Sequence, residues 1–206
     1  MTTRNHPSRT AVAQARAATQ AKAQRNRRRW QLGMWAGSLV LIALVVTFGL
    51  LTSRPSSNRP NRAAPDFTLS TTAGTTVSLR NYRGHPVILY FNEGAGCGAC
   101  SMQLAGIEKQ KGFADAGITV LPIVMNTREQ IQPDLTHYGV TTPVLLDDGT
   151  VSKAYGTLGK GMHAGLPGHS FVLIGPDGTQ LWSGEYPSMW LDPKALLREA
   201  TSRLRA

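Results

Sequence analysis

The hydrophobic pattern changes character twice along this chain. From Trp30 to Ser53 there are 24 residues without a charge, and the apolar side chains are densest from Leu39 to Leu51. A run of about 20 apolar residues is long enough to cross a bilayer core as a helix. Trp30 and Trp35 stand at its N-terminal end, where interfacial aromatic anchors are expected. A transmembrane helix is therefore predicted over residues 30–52. Residues 53–63 are Pro, Ser, Asn and Arg with no apolar side chain before Ala63, and are predicted as a flexible linker.

Beyond residue 63 short apolar runs alternate with amphipathic ones, predicting a globular domain over residues 64–206. Asp66–Leu69 and Thr76–Leu79, separated by Ala73-Gly74, read as a hairpin. Val87–Asn92 is predicted as the buried central strand, because Val87–Phe91 is an unbroken apolar run rich in β-branched and aromatic residues. A helix is predicted over Gly98–Ala114 and a second buried strand over Gly117–Val124, with Pro122 implying an edge position or a bulge. Thr127 suits the N-cap of a helix running to Tyr138 and closed by Gly139. Pro143–Leu146 begins a short strand or turn, and Thr150–Tyr155 a short helix. Pro176-Asp177-Gly178 joins His169–Ile174 and Thr179–Ser183 as a hairpin, and Asp192-Pro193 opens a last helix. A βαβ unit followed by a hairpin and a terminal helix makes the fold class α/β, a sandwich around a central mixed sheet.

Composition changes this picture little once charge is divided along the chain. The formal net charge is +10, but residues 1–29 hold eight Lys/Arg and no acid, and Arg54, Arg59 and Arg62 follow the apolar run. From residue 63 onward 11 basic residues face 12 acidic ones, so the globular part is near neutral and carries no nucleic-acid signature. Six of the basic residues lie within about 15 positions before the apolar run and three within a similar distance after it, so the basic tail is expected in the cytoplasm and the domain outside. The expected location is thus a single-pass cell-membrane protein in contact with lipid through its anchor. Cleavage as a signal sequence is the alternative, against which no small-x-small site closes the run. No cysteine follows the span, which excludes a lipoprotein.

The chemistry concentrates in Pro86–Ser101. The strand ends in Gly94-Ala95-Gly96, and Cys97-Gly98-Ala99-Cys100 opens a helix. These are the chain's two cysteines, and none remains for structural bridges. A helix N-terminus favours the thiolate through its unpaired N–H groups and dipole. Residues three apart in a first turn share a face, so Cys97 and Cys100 can close a disulfide. Cys97, at the exposed tip, would attack, and Cys100, one turn in, would resolve. Two buried structural cysteines or half a zinc site fit less well, since no second Cys or His pair stands at ligand spacing. The cofactor expected is the redox-active disulfide itself, with no metal.

Taken together, four stretches resemble the thioredoxin fold, and within it the redoxin branch. That branch comprises the alkyl hydroperoxide reductase/thiol-specific antioxidant superfamily and the membrane-tethered TlpA/ResA-like reductases. They are Ala64–Leu69, Ser78–Val87, the C-x-x-C, and the late run from Pro143 through Pro167 to Gly178. The resemblance implies a thioredoxin-like sandwich acting as a membrane-anchored extracytoplasmic thiol–disulfide oxidoreductase, with exported proteins as substrates and a membrane or extracytoplasmic electron donor. It also implies that Pro167 is the fold's cis-proline and that Leu166, Pro167 and Gly96 contact substrate.

This chain departs from the family in two ways that bear on function. Gly96 stands where Trp usually precedes the first cysteine. Peroxidatic members carry P-x-x-x-T/S-x-x-C, whereas here Tyr90 and Gly94 hold the proline and threonine positions. That counts against a thiol peroxidase, which remains an alternative. Glu93, four residues before Cys97, is a candidate base for deprotonating Cys100, or else an exposed turn carboxylate. His163 and His169 flank Pro167 and are either plain loop and strand histidines or imidazoles facing the cysteine pair. The latter would suit a Sco-like copper chaperone, although that family's pair is C-x-x-x-C.

Overall fold

The computed structural model describes residues 30–31, 33–51, 55–58, 60–159 and 164–205. The basic tail over 1–29 lies outside them. The chain divides into two compact units, Met1–Thr52 and Ser53–Ala206. The first holds helix α1, Gly33–Leu51, with a mean hydropathy of 2.3, the only described helix long and apolar enough to cross a membrane.

The second unit is one mixed sheet covered on both faces. Its strands are β1 (Ser56–Asn58), β2 (Arg62–Ala63), β3 (Thr68–Thr71), β4 (Thr76–Ser78), β5 (Val87–Phe91), β6 (Thr119–Val124), β7 (Leu145–Leu146), β8 (Ser170–Ile174) and β9 (Thr179–Glu185). They lie in the order β1-β9-β8-β5-β6-β7-β3-β4, with β2 also on β9. The helices are α2 (Gly98–Lys109), α3 (Gly112–Asp115), α4 (Arg128–Tyr138), α5 (Thr150–Tyr155) and α6 (Pro193–Leu204), plus a 3-10 turn over Leu79–Tyr82.

Strand β5 is central, parallel to β6 and antiparallel to β8, and every one of its residues is buried. Because side chains alternate across a strand, Ile88 and Tyr90 enter one core with Leu104, Ile107, Ile131, Leu135 and Leu196. Val87, Leu89 and Phe91 enter the other with Phe67, Leu79, Val151 and Tyr155. Helices α2, α4 and α6 thus cover one face, and α5 and the 3-10 turn the other. A strand buried on both faces reads as a continuous apolar run, as Val87–Phe91 does.

Several boundaries differ from expectation for physical reasons. The stretch read as a flexible linker supplies β1 and β2, which pair antiparallel with β9, and Ser183 Oγ lies 2.6 Å from Asn58 Oδ1. Their backbone groups occupy what would otherwise be an open sheet edge. The helix expected to run to Ala114 ends at Lys109, and Gly112 begins a separate turn.

Pro122 sits in an interior strand, in register with Tyr90, not at an edge. The Ile123 carbonyl accepts from Asn92 N on the β5 side and the Val124 carbonyl from Asp147 N on the other. By alternation Pro122 presents its ring nitrogen to the β7 side, where β7 pairs only from Ile123 onward. The missing donor therefore costs no ladder bond.

The helix caps follow the sequence. Thr127 and Gln130 form a capping box, Gly139 closes α4 at φ +67°, and Asp192 caps α6 with Pro193 in its first turn.

Candidate active site

The turn between β5 and α2 is braced by side chains from three elements. Asn92 Oδ1 accepts from Gly94 N at 3.0 Å, Asn126 Oδ1 from Ala95 N at 2.9 Å, and Asp134 Oδ2 from Gly96 N at 2.7 Å. Cys97 N donates to the Gly94 carbonyl at 3.0 Å, closing the turn. Gly94 has φ +76°, and a Cβ there would lie 1.8 Å from Asn126 Oδ1. The position is restricted to glycine both by conformation and by space. A threonine side chain has no room there.

Cys97 is the N-cap of α2, and its sulfur accepts from Cys100 N at 3.2 Å. The two cysteines are joined in a disulfide, with Cα atoms 5.3 Å apart. Cys97 is half-buried at the surface and Cys100 is buried. The outer sulfur is thus the one a partner reaches, and the backbone donor already aimed at it would stabilise a thiolate after reduction.

Cys97 opens into a groove of about 390 Å³. Glu93, Gly96 and Ala99 form the wall on the β5–α2 side, and Gly168, His169, Glu185 and Met189 lie opposite. Of the residues expected to contact substrate, Gly96 is in the wall, and Gly168, next in sequence to Leu166 and Pro167, lines it as well. The Leu166–Pro167 bond was expected to be cis, but it is trans, since no described peptide bond is cis. Pro167 is buried in extended backbone, bridged to Leu158 and flanked by bonds from Gly159 N to the Leu166 carbonyl and from Gly168 N to the Thr157 carbonyl. Glu93 is half-buried in the groove wall beside Cys97. His163 lies outside the described residues.

His169 comes to the buried side of the pair. Its Nδ1 is 3.9 Å from Cys100 Sγ and 3.3 Å from the Tyr90 hydroxyl, and that hydroxyl donates to the Cys100 carbonyl at 3.2 Å. The imidazole packs edge-on against Tyr90 and Phe171 and is only 2% exposed. Burial lowers its pKa from 6.5 to about 4, so the ring is neutral at physiological pH, and burial also raises that of Tyr90. Tyr90 was legible only as a strand residue. The sole signal of another task was a phenol in an otherwise hydroxyl-free run, Val87–Phe91.

Copper would need both sulfurs and an imidazole converging. Among the described residues no group of three His, Cys, Asp or Glu side chains is arranged to hold a metal ion.

The same architecture recurs in known proteins. Rv2521 of Mycobacterium tuberculosis, a candidate peroxiredoxin by name, is 36% identical over 103 residues, which is 49% of this chain and 66% of that protein. The match therefore spans just under two thirds of that relative's length. The thioredoxin-like protein YneN of Bacillus subtilis is 28% identical over 137 residues, 62% of this chain and 79% of its own. A solution structure of a candidate protein disulfide isomerase from Bacteroides thetaiotaomicron superposes with a TM-score of 0.56 at 26% identity, over 72% of this chain and 91% of that one. The fold is thioredoxin-like, and the cysteine pair occupies the start of its first long sheet-covering helix. Residues 60–180 match the profile of the AhpC/TSA family, and the chain belongs to that family.

Proposed function

We propose that the protein is a membrane-tethered, extracytoplasmic thiol–disulfide oxidoreductase that exchanges electrons with cysteines of exported proteins. The observation that carries this reading is the asymmetry of the pair, with Cys97 at a helix cap facing a groove and Cys100 buried behind it within bonding distance. In the reductive direction Cys97 thiolate attacks a substrate disulfide, forming a mixed disulfide and releasing one substrate thiolate. Cys100 thiolate then attacks Cys97 Sγ and releases the second, leaving the enzyme oxidised. Oxidation of a dithiol substrate is the same path reversed. Gly96 and the strand-like backbone at Gly168 supply a surface for an extended segment beside the reacting sulfur, with Leu166 and Pro167 shaping the loop behind it. Glu93 sets the polarity of the groove mouth.

Tethering is supported by the apolar helix Gly33–Leu51, and the orientation by the eight basic residues that precede it. An electron donor in or beyond the membrane completes the cycle. A Cys100→Ser variant in its native host is expected to accumulate mixed disulfides through Cys97 with exported proteins. If none forms under conditions where the parent chain turns over, the oxidoreductase reading fails.

A thiol peroxidase is the second reading, favoured by the peroxiredoxin name of the 36% identical relative. In that case Cys97 thiolate attacks a peroxide to give a sulfenic acid, which Cys100 condenses with to the disulfide and water. Gly94 and Tyr90 weigh against it, because the threonine or serine hydroxyl and the proline ring of the P-x-x-x-T/S-x-x-C pattern are both absent at those positions. Rapid peroxide-dependent sulfenic acid at Cys97 in the Cys100→Ser variant would select this reading.

A further inference from the structure

We infer that His169 is the proton acceptor for Cys100, held in place by Tyr90, so that resolution of the mixed disulfide draws on an internal base. The inference rests on the thiol–disulfide exchange reading above and deepens it. Cys100 is 1% exposed, so its proton has no direct path to bulk water. The described side-chain nitrogen nearest its sulfur in the hydrogen-bond geometry is His169 Nδ1, at 3.9 Å. The other nitrogen, Nε2, is buried with no partner among the described residues. An imidazole with one nitrogen turned to a sulfur and the other unsatisfied is costly as mere packing, because a phenylalanine would fill the same aromatic slot between Tyr90 and Phe171.

Two features fit the role. The ring is neutral in the resting enzyme, as an acceptor has to be. Tyr90 holds the site together: its hydroxyl gives its one proton to the Cys100 carbonyl and lies 3.3 Å from Nδ1, so the Nδ1 lone pair stays open to the Cys100 S–H. Strand register makes this possible, since Tyr90 of β5 pairs with Phe171 of β8, two residues beyond His169.

In the step, with the hydrogen of the neutral imidazole on Nε2, the Cys100 S–H proton passes to the Nδ1 lone pair, leaving a thiolate beside an imidazolium whose new Nδ1–H can donate to the Tyr90 oxygen. The thiolate's electron pair forms the bond to Cys97 Sγ, and the Cys97–substrate S–S bond breaks toward the substrate sulfur. The departing substrate thiolate, or solvent at the groove, takes the proton from the imidazolium. The enzyme dithiol is oxidised and the substrate half-disulfide reduced, with no further reactant. The titratable groups around His169 are Tyr90 from β5 and Cys100 from α2, with Glu185 on the same wall of the groove and Glu93 across it.

The test separates the two chemical steps. Reduced full-length protein in detergent is mixed with a chromogenic nitrobenzoate disulfide. The first equivalent of chromophore reports attack by Cys97, and the second reports resolution by Cys100. In His169→Phe, which keeps the aromatic packing, and His169→Asn, which keeps a polar group, the first phase is expected within about twofold of the parent. The second should slow by at least about tenfold near neutral pH, at the lower end of what a positioned base contributes. That deficit should shrink as pH rises toward the range of a free thiol, and added imidazole should partly restore the second phase of His169→Asn. Equal slowing of both phases, or an unchanged second phase in both folded variants, would overturn the inference while leaving the oxidoreductase reading intact. Absence of a first phase in the parent protein would instead remove that reading, and this inference with it.

Discussion

Replacing Gly94 by alanine tests how the reactive turn is built. The added Cβ meets two penalties. At φ +76° an L-residue costs roughly 1–2 kcal/mol relative to glycine. The Cβ would also sit 1.8 Å from Asn126 Oδ1, which has to swing away and release Ala95 N, losing a hydrogen bond worth about 0.5–1.5 kcal/mol. Alanine's smaller unfolded-state entropy offsets about 0.4–1 kcal/mol. The net expectation is a loss of about 2 kcal/mol, read as a lower urea midpoint at constant slope for the fragment 53–206.

The two penalties separate in a double-mutant cycle. In an Asn126→Ala background the collision and the hydrogen bond are already gone, so Gly94→Ala should then cost only about 1 kcal/mol, giving a coupling near 1 kcal/mol. Equal costs in both backgrounds, or stabilisation by Gly94→Ala, would refute the claim that Asn126 and Gly94 shape one another. The result bears on function too. Gly94→Thr should damage the turn further and should not create peroxide reactivity.

Three further outcomes are expected. In reduced Cys100→Ser protein, alkylation of Cys97 should reach half-maximal rate below the free-thiol pKa of about 8.5, and a profile centred at or above that value would remove the helix-cap activation. In the oxidised protein, His169 is neutral when folded and protonates near 6.5 when unfolded, so the unfolded state binds more protons between 6.5 and about 4. Its contribution to stability should therefore fall as pH drops through that window, and His169→Phe should flatten this part of the unfolding profile relative to the parent. Asp192→Ala removes the side chain that accepts from Ala195 N at 3.0 Å and should cost about 1 kcal/mol by denaturant unfolding.

Local signals in the chain carried much of this structure. The apolar run Val87–Phe91, the glycines after it and two cysteines at a helix start were sufficient to place the reactive pair, because strand burial, turn conformation and capping are set by neighbouring residues. The same holds for Thr127 with Gln130, for Asp192-Pro193, and for the length of the N-terminal apolar helix. Long-range pairing was not legible. The approach of His169 to Cys100 depends on antiparallel register between β5 and β8, across 69 residues of sequence. The strands at Ser56–Asn58 and Arg62–Ala63 have no apolar alternation, since they are held by backbone bonds to β9 rather than by a buried face. Pro122 misled as an edge marker because the short extent of β7, a tertiary fact, is what excuses its missing donor. Pro167 was expected in cis from the resemblance, and its peptide bond is trans. Gly168, not the proline, reaches the groove wall.

The most direct measurement follows which sulfur reacts first. Fully reduced protein is mixed with a limiting amount of a disulfide peptide, quenched in acid at successive times, alkylated and mapped by mass spectrometry. The account predicts a peptide adduct on Cys97 that gives way to the Cys97–Cys100 disulfide. An adduct that forms first on Cys100, or one on Cys97 that persists without the intramolecular disulfide returning, would contradict it.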